Sequence, residues 1–159
     1  MKTSSINNTK TGDMKKILLV LGLIATMGVC SAYPSERVSR KVLESFKTEF
    51  TTAQNVQWET GSNYFRASFT MNEQRIFAYY NVEGEMLSIA RYIISIQLPV
   101  NLFSDLKNDY SKYWISDLFE VSNSEGLHYY VTLETADSKL VMHSSNGGSW
   151  STYSKNKKI

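Results

Sequence analysis

The sequence predicts an α+β domain made of two α-β-β-β repeats, with helices packed on one face of an antiparallel sheet. Three observations predict it. First, residues 64–94 hold three aromatic or β-branched runs, Tyr64 to Phe69, Arg75 to Tyr80 and Met86 to Ile94. Two turn signals separate them, Met71-Asn72-Glu73-Gln74 and Asn81-Val82-Glu83-Gly84-Glu85, which is the pattern of an antiparallel meander. Second, an amphipathic helical stretch precedes this meander, and a second helix followed by strands comes after it. Third, Arg75-Ile76-Phe77-Ala78 up to Gly84 parallels Lys139-Leu140-Val141-Met142 up to Gly148, at a constant offset of 64 (148 − 84). The repeat halves are about 35–97 and 98–155.

The amino terminus is expected to be a signal peptide spanning residues 1–32. Lys15 and Lys16 precede an apolar run from Ile17 to Val29, and Cys30 and Ala32 supply small residues at −3 and −1 of a cleavage site. The apolar run would span only about 20 Å as a helix, too short for a hydrocarbon core of about 30 Å. Met14 is an alternative initiator to Met1. A lipoprotein would use Cys30 as its acylated residue, but Val29 is larger than the residue usual before such a cysteine. Cleavage after Ala32 is therefore the preferred reading, with a periplasmic or secreted destination.

Cleavage changes what composition means. Of 159 residues, residues 33–159 would form a single domain large enough for a real core. The chain's one cysteine, Cys30, would leave, so no disulfide is available and packing must supply stability. The 17 basic residues lose Lys2, Lys10, Lys15 and Lys16, and the 15 acidic ones lose Asp13. That leaves 13 against 14, a net charge of −1 in place of the formal +2. Nothing electrostatic points to nucleic acid. The basic tail Lys155-Asn156-Lys157-Lys158 reads as a solubilising end.

Each element has a local reason. Ser35 can cap a helix in which Val38, Val42, Phe46 and Phe50 recur every four residues, with Leu43 beside them and Arg40, Lys41, Glu44, Lys47 and Glu49 outward. Asn55 to Trp58 leads out as a short extended segment, and Glu59 to Asn63 is a turn. In the first strand, period two puts Phe65, Ala67 and Phe69 on the core face and Tyr64, Arg66 and Ser68 on the other. In the next, Ile76, Ala78 and Tyr80 alternate with Arg75, Phe77 and Tyr79. Pro99 ends the meander and introduces a helix with Leu102, Phe103, Leu106, Tyr110 and Tyr113 at helical spacing. Strands are expected over 114–121, 127–134, 139–144 and 149–153.

Taken together, the exported start, the Phe46 and Phe50 helix, the Asn55-Val56-Gln57-Trp58 exit, the Tyr64-Phe65-x-Ala67-x-Phe69 strand, the Asn81-x-Glu83-Gly84 turn and Leu98-Pro99 carry a resemblance. The chain resembles the β-lactamase-inhibitor-like, PepSY-like family of small periplasmic bacterial proteins over about its whole mature length. The resemblance implies two α/β repeats sharing a sheet and a non-enzymatic role in binding or inhibition. It does not imply β-lactamase as the target. True β-lactamase inhibitor proteins carry disulfides, which this chain cannot form once Cys30 is lost.

The search for chemistry yields little. His128 and His143 fall on neighbouring expected strands, but a metal site needs at least one further ligand such as Glu134 and a second shell, so no metal is expected. No serine lies in a Gly-x-Ser-x-Gly elbow, and Gly147-Gly148 precedes a strand, not a phosphate-binding helix. Glu83 and Glu85 read as solvated turn charges. No catalytic residue and no cofactor are expected. The aromatics carry more information. Tyr64, Arg66, Arg75, Phe77, Tyr79, His128 and Tyr130 fall on the face opposite the expected core, and Tyr and Arg are usual anchors of protein interfaces. The bland alternative is cross-strand pairs stabilising a half-exposed sheet. Trp58, Trp114 and Trp150 are assigned to packing at strand ends. The expected function is an exported, non-enzymatic, protein-binding or inhibitor-like domain that uses this open sheet face and does not insert stably in the membrane. A periplasmic small-ligand-binding or cell-envelope structural module is the alternative.

Overall fold

The computed structural model describes residues 38–158. The expected signal peptide, its cleavage site, Cys30 and the Ser35 cap lie outside them. The described elements run α1 (Arg40–Glu49), β1 (Gln54–Thr60), β2 (Phe65–Met71), β3 (Gln74–Tyr80), β4 (Met86–Tyr92), a 3-10 turn (Ser95–Gln97), α2 (Val100–Asp109), β5 (Trp114–Asn123), β6 (Gly126–Glu134), β7 (Ser138–Ser145) and β8 (Ser151–Lys157).

The expected architecture of two α-β-β-β repeats with helices on one face is overturned. The strands form one continuous antiparallel sheet of eight, in the order β1 to β8, and strand rather than helix dominates the described residues. Two facts decide this. The segment read as a short exit from the helix is a full edge strand, β1, paired with β2 from Gln54↔Thr70 to Thr60↔Phe65. Its sequence hides it, because only Val56 and Trp58 are large and apolar, and its pairing comes from backbone groups. Then β4 pairs with β5 from Ser88↔Asn123 to Tyr92↔Phe119, which fuses the two halves into one sheet.

Helix α1 starts one turn later than Ser35 would set it. Ser39 is its N-cap, and its side chain accepts from the Val42 amide at 3.3 Å. Val42, Phe46 and Phe50 are buried with Trp58, Phe65, Ala67, Phe69, Ile76, Ala78 and Tyr80 in one apolar cluster. Phe46 is its hub, with ring centroids 5.3 Å from Phe50, 5.2 Å from Trp58 and 5.1 Å from Phe69. The Tyr80 hydroxyl donates to Glu49 Oε2 at 2.6 Å and ties the end of the helix to the sheet. Helix α2 follows Pro99 and packs Leu102 and Leu106 into a second cluster with Leu118, Tyr129, Val131, Leu133, Leu140 and Met142.

A polar seam lies between the two clusters. Arg91 pairs with Ile76 across one ladder and with Glu120 across the next, and its Nε donates to Glu120 Oε1 at 2.7 Å. The hairpin turns are set by positive φ. Asn72 (51°) and Glu73 (62°) give the tight β2–β3 turn, and Gly84 (89°) closes β3–β4. An added Cβ at Gly84 would stand 3.0 Å from the Lys41 carbonyl oxygen, so this turn needs glycine both for its φ and for its approach to α1.

Candidate functional site

Alternation along the registers separates the strand side chains of the two apolar clusters from those on the other side of the sheet. Arg66 is opposite Tyr79, and Tyr79 is opposite Ser88. Ser68, Phe77, Ala90, Val121, His128 and Ser145 form one cross-strand row, and Tyr92, Phe119, Tyr130, His143 and Ser151 form the next. All the expected strand positions of the site therefore share this side. They do not form one patch. Arg66, Arg75, Phe77 and Tyr79 meet on β2 and β3, with Tyr64 beside them, whereas His128 and Tyr130 stand three strands away, about 14 Å at the usual strand spacing.

On β2 and β3 the groups are tightly coupled. The Arg66 guanidinium is ion-paired with Glu59 of β1. Burial works against the charge on Arg66, but Glu59 and Tyr79 outweigh it and hold the guanidinium above its ordinary pKa. Burial pushes the Tyr79 hydroxyl well up, so it is a neutral phenol at any physiological pH. Tyr64 and Tyr79 lie with ring centroids 6.0 Å apart. The guanidinium carbons of Arg66 and of Arg75 each lie 5.6 Å from the Phe77 ring centroid.

Exposure differs from the expectation of a half-wet face. Phe77 (8%), Tyr79 (1%), His128 (4%) and Tyr130 (3%) are buried. Tyr64 and Arg66 are half-buried, and Arg75 is exposed. The reason is lateral packing. Large rings on adjacent strands lie edge to face, and guanidinium groups stack over Phe77, so neighbours remove area that an isolated strand would leave wet. Trp114 departs the other way. It is 52% exposed, with Lys158 Nζ 4.9 Å from its ring centroid. Trp58 is buried, and Trp150 donates from Nε1 to the Leu102 carbonyl at 3.0 Å.

Sequence reasoning missed the residues that bridge the two groups. Tyr92 is 5.8 Å from Phe77 and 4.1 Å from Phe119, centroid to centroid. Phe119 stands opposite Tyr130, which stacks on His143 at 4.6 Å and meets Tyr153 at 6.2 Å. An aromatic band thus crosses from β3 to β8. The signal was present, since period two from Tyr92 and Phe119 would have placed them, but it needed the β4–β5 register.

The two histidines do meet. His128 Nδ1 lies 3.1 Å from His143 Nε2, with ring centroids 5.3 Å apart. His128 Nε2 is 3.2 Å from Asn123 Oδ1, which can only accept, so His128 carries its proton on Nε2. Its Nδ1 is then an acceptor, reached by His143 Nε2–H and at 3.3 Å by the Ser145 hydroxyl. Ser145, His128 and Asn123 resemble a nucleophile, base and orienter, but His143 occupies the same lone pair, so Ser145 is not activated by it. Burial lowers the affinity of both rings for a proton, and for His143 the charge of His128 adds to this. Among the described residues no three His, Cys, Asp or Glu side chains gather as a metal site. Nor is any described helix long and apolar enough to cross a membrane.

No family model matches this sequence, and no curated protein matches it. Solved structures do match. One is a protein from Bacteroides eggerthii proposed to be periplasmic, with a TM-score of 0.67 and 14% identity over 76% of this chain and 88% of that one. Another is a BLIP-like protein from Bacteroides fragilis, with a TM-score of 0.64 and 16% identity over 80% and 89%. A third is a DUF2874 family protein from Bacteroides uniformis, with a TM-score of 0.66 and 15% identity over 75% and 88%. None of the three is described as PepSY. At such identities the likeness speaks for fold alone, and the fold this chain shares is that of a BLIP-like protein.

Proposed function

We propose that this chain is an exported, non-enzymatic binding or inhibitor-like domain that engages a protein through the side of the sheet that carries its aromatic and guanidinium band. The aromatic and guanidinium band across β2 to β8 carries this reading. Arg75 and Tyr92 are its exposed members, and they rest on buried Phe77 and Phe119. An exposed arginine and tyrosine, each held by packed rings, lose little side-chain freedom when a partner docks. Tyr64 and Arg66 flank them, while Phe77, Tyr79, His128 and Tyr130 support the surface from beneath. The BLIP-like and periplasmic descriptions of the structural neighbours favour the same class and destination.

The test is comparative capture from the periplasm of the native cell. Wild type, a double variant Arg75→Ala with Tyr92→Ala, and a control Lys107→Ala on exposed α2 are immobilised in parallel. A partner held by wild type and the control, and lost with the double variant, is the expected result. Equal retention by all three would refute the assignment of the site.

A further inference from the structure

The two edges of the sheet are unlike. Strand β8 carries Lys155 and Lys157, which is how natural edges are guarded against pairing. Strand β1 reads Gln54-Asn55-Val56-Gln57-Trp58-Glu59-Thr60 and carries no lysine or proline. It pairs with β2 on one side and, among the described residues, has no strand on the other. The Gly61 amide donates to the Tyr64 carbonyl at 2.9 Å. Antiparallel pairs alternate between bonded and non-bonded, so Glu59:Arg66 and Gln57:Ser68 are the bonded pairs that point inward. The amides and carbonyls of Trp58 and Thr60 therefore point outward, unpaired by the sheet.

Beside this edge lies a cleft of about 280 Å³ between α1 and β1. Its apolar lining comes from Leu43, Phe46, Phe50, Ala53, Val56 and Trp58. Val56 is 37% exposed there, because a register shift between Gln54 and Gln57 frees Asn55 and Val56 from the β2 ladder. Among the described residues, Lys47 is the one charged residue lining the cleft, and no ion pair engages it.

We infer that the β1 edge and the α1–β1 cleft together form a docking groove for an extended peptide segment of another protein. The segment adds as a further strand on β1, turns an apolar side chain toward Leu43, Phe50 and Val56, and sets a carboxylate at Lys47. Backbone pairing supplies the affinity, and the cleft and Lys47 supply the selectivity. A second copy of this chain does not fit. The β1 side chains it would turn toward the cleft are Val56, Trp58 and Thr60. Trp58 is already committed to its own core, and none of the three is acidic. This groove is separate from the aromatic band, and either site can fail without the other.

The probe is an acetylated, fluorescent heptapeptide of alternating Val and Thr ending in Asp, titrated by anisotropy against the purified full chain. Saturable binding is expected. An analogue N-methylated at alternate amides should bind at least about tenfold more weakly, the loss that about 1.4 kcal/mol of backbone pairing represents. Thr60→Pro should do the same, since it removes an outward donor and leaves the β2 ladder intact. Lys47→Glu should reverse the preference between peptides ending in Asp and in Lys. Undiminished binding of the N-methylated analogue would overturn the inference whether or not Thr60→Pro folds. So would no saturable binding, or a dimer in sedimentation that Thr60→Pro dissolves, which would give the edge to a second copy.

Discussion

Replacing Phe46 with alanine tests how α1 is held. The ring is 5% exposed and sits about 5 Å, centroid to centroid, from Phe50, Trp58 and Phe69. Truncating a buried phenylalanine costs about 3–5 kcal/mol, from lost transfer energy and the cavity left behind. Edge-on aromatic pairs add about 0.5–1.5 kcal/mol each beyond burial, which places Phe46 in the upper part of that range. A ten-residue helix has little stability of its own, so α1 depends on this packing. Against a domain stability of about 5–15 kcal/mol, the loss is about a quarter or more. Urea unfolding followed by tryptophan fluorescence measures it, because Trp58 is one of the three rings that touch Phe46. A loss below about 1.5 kcal/mol would refute the reasoning, since it would mean that α1 is not clamped through Phe46.

Tyr79→Ala should fall in the class of Phe65→Ala, about 3–5 kcal/mol, because Tyr79 is 1% exposed; denaturant melts of the two variants that differ by more than about 2 kcal/mol would restore the half-wet face. Gly84→Ala should cost about 1–3 kcal/mol in the same assay, from its positive φ and the 3.0 Å approach of its Cβ to the Lys41 carbonyl; a neutral result would show that the turn relaxes away from α1. Stability should also fall as pH drops below about 6.5. His128 and His143 have lowered folded pKa values, so the unfolded chain binds protons first; their stabilisation is full above the unfolded value and is lost as pH falls through the folded ones. Glu134, held below its ordinary pKa by hydrogen bonds from Lys158 and Ser116, adds its own loss only below about 4.5. Urea midpoints between pH 7 and 5 should therefore decline in wild type and stay flatter in His128→Gln with His143→Gln. Equal slopes would remove the histidine pair as the cause.

The sequence by itself determined the local elements. Asn72-Glu73 and Gly84 announced turns, the Val42, Phe46 and Phe50 spacing announced a helix, and alternation told which strand residues share a side. Each of these signals lies within a few residues, where backbone sterics and side-chain direction act. From them came six of the seven candidate residues on one side of the sheet, with Tyr64 just ahead of β2. What only the tertiary structure decided depends on partners distant in sequence. β1 became a strand because β2 accepted its backbone, although its side chains show almost no alternation. The halves fused because β4 met β5 across more than twenty intervening residues, and that register alone put Tyr92 beside Phe119. Burial of Tyr79 and Tyr130 was illegible for the same reason. Period two fixes the direction of a side chain, but its exposure is set by the rings and guanidinium groups that neighbouring strands lay beside it.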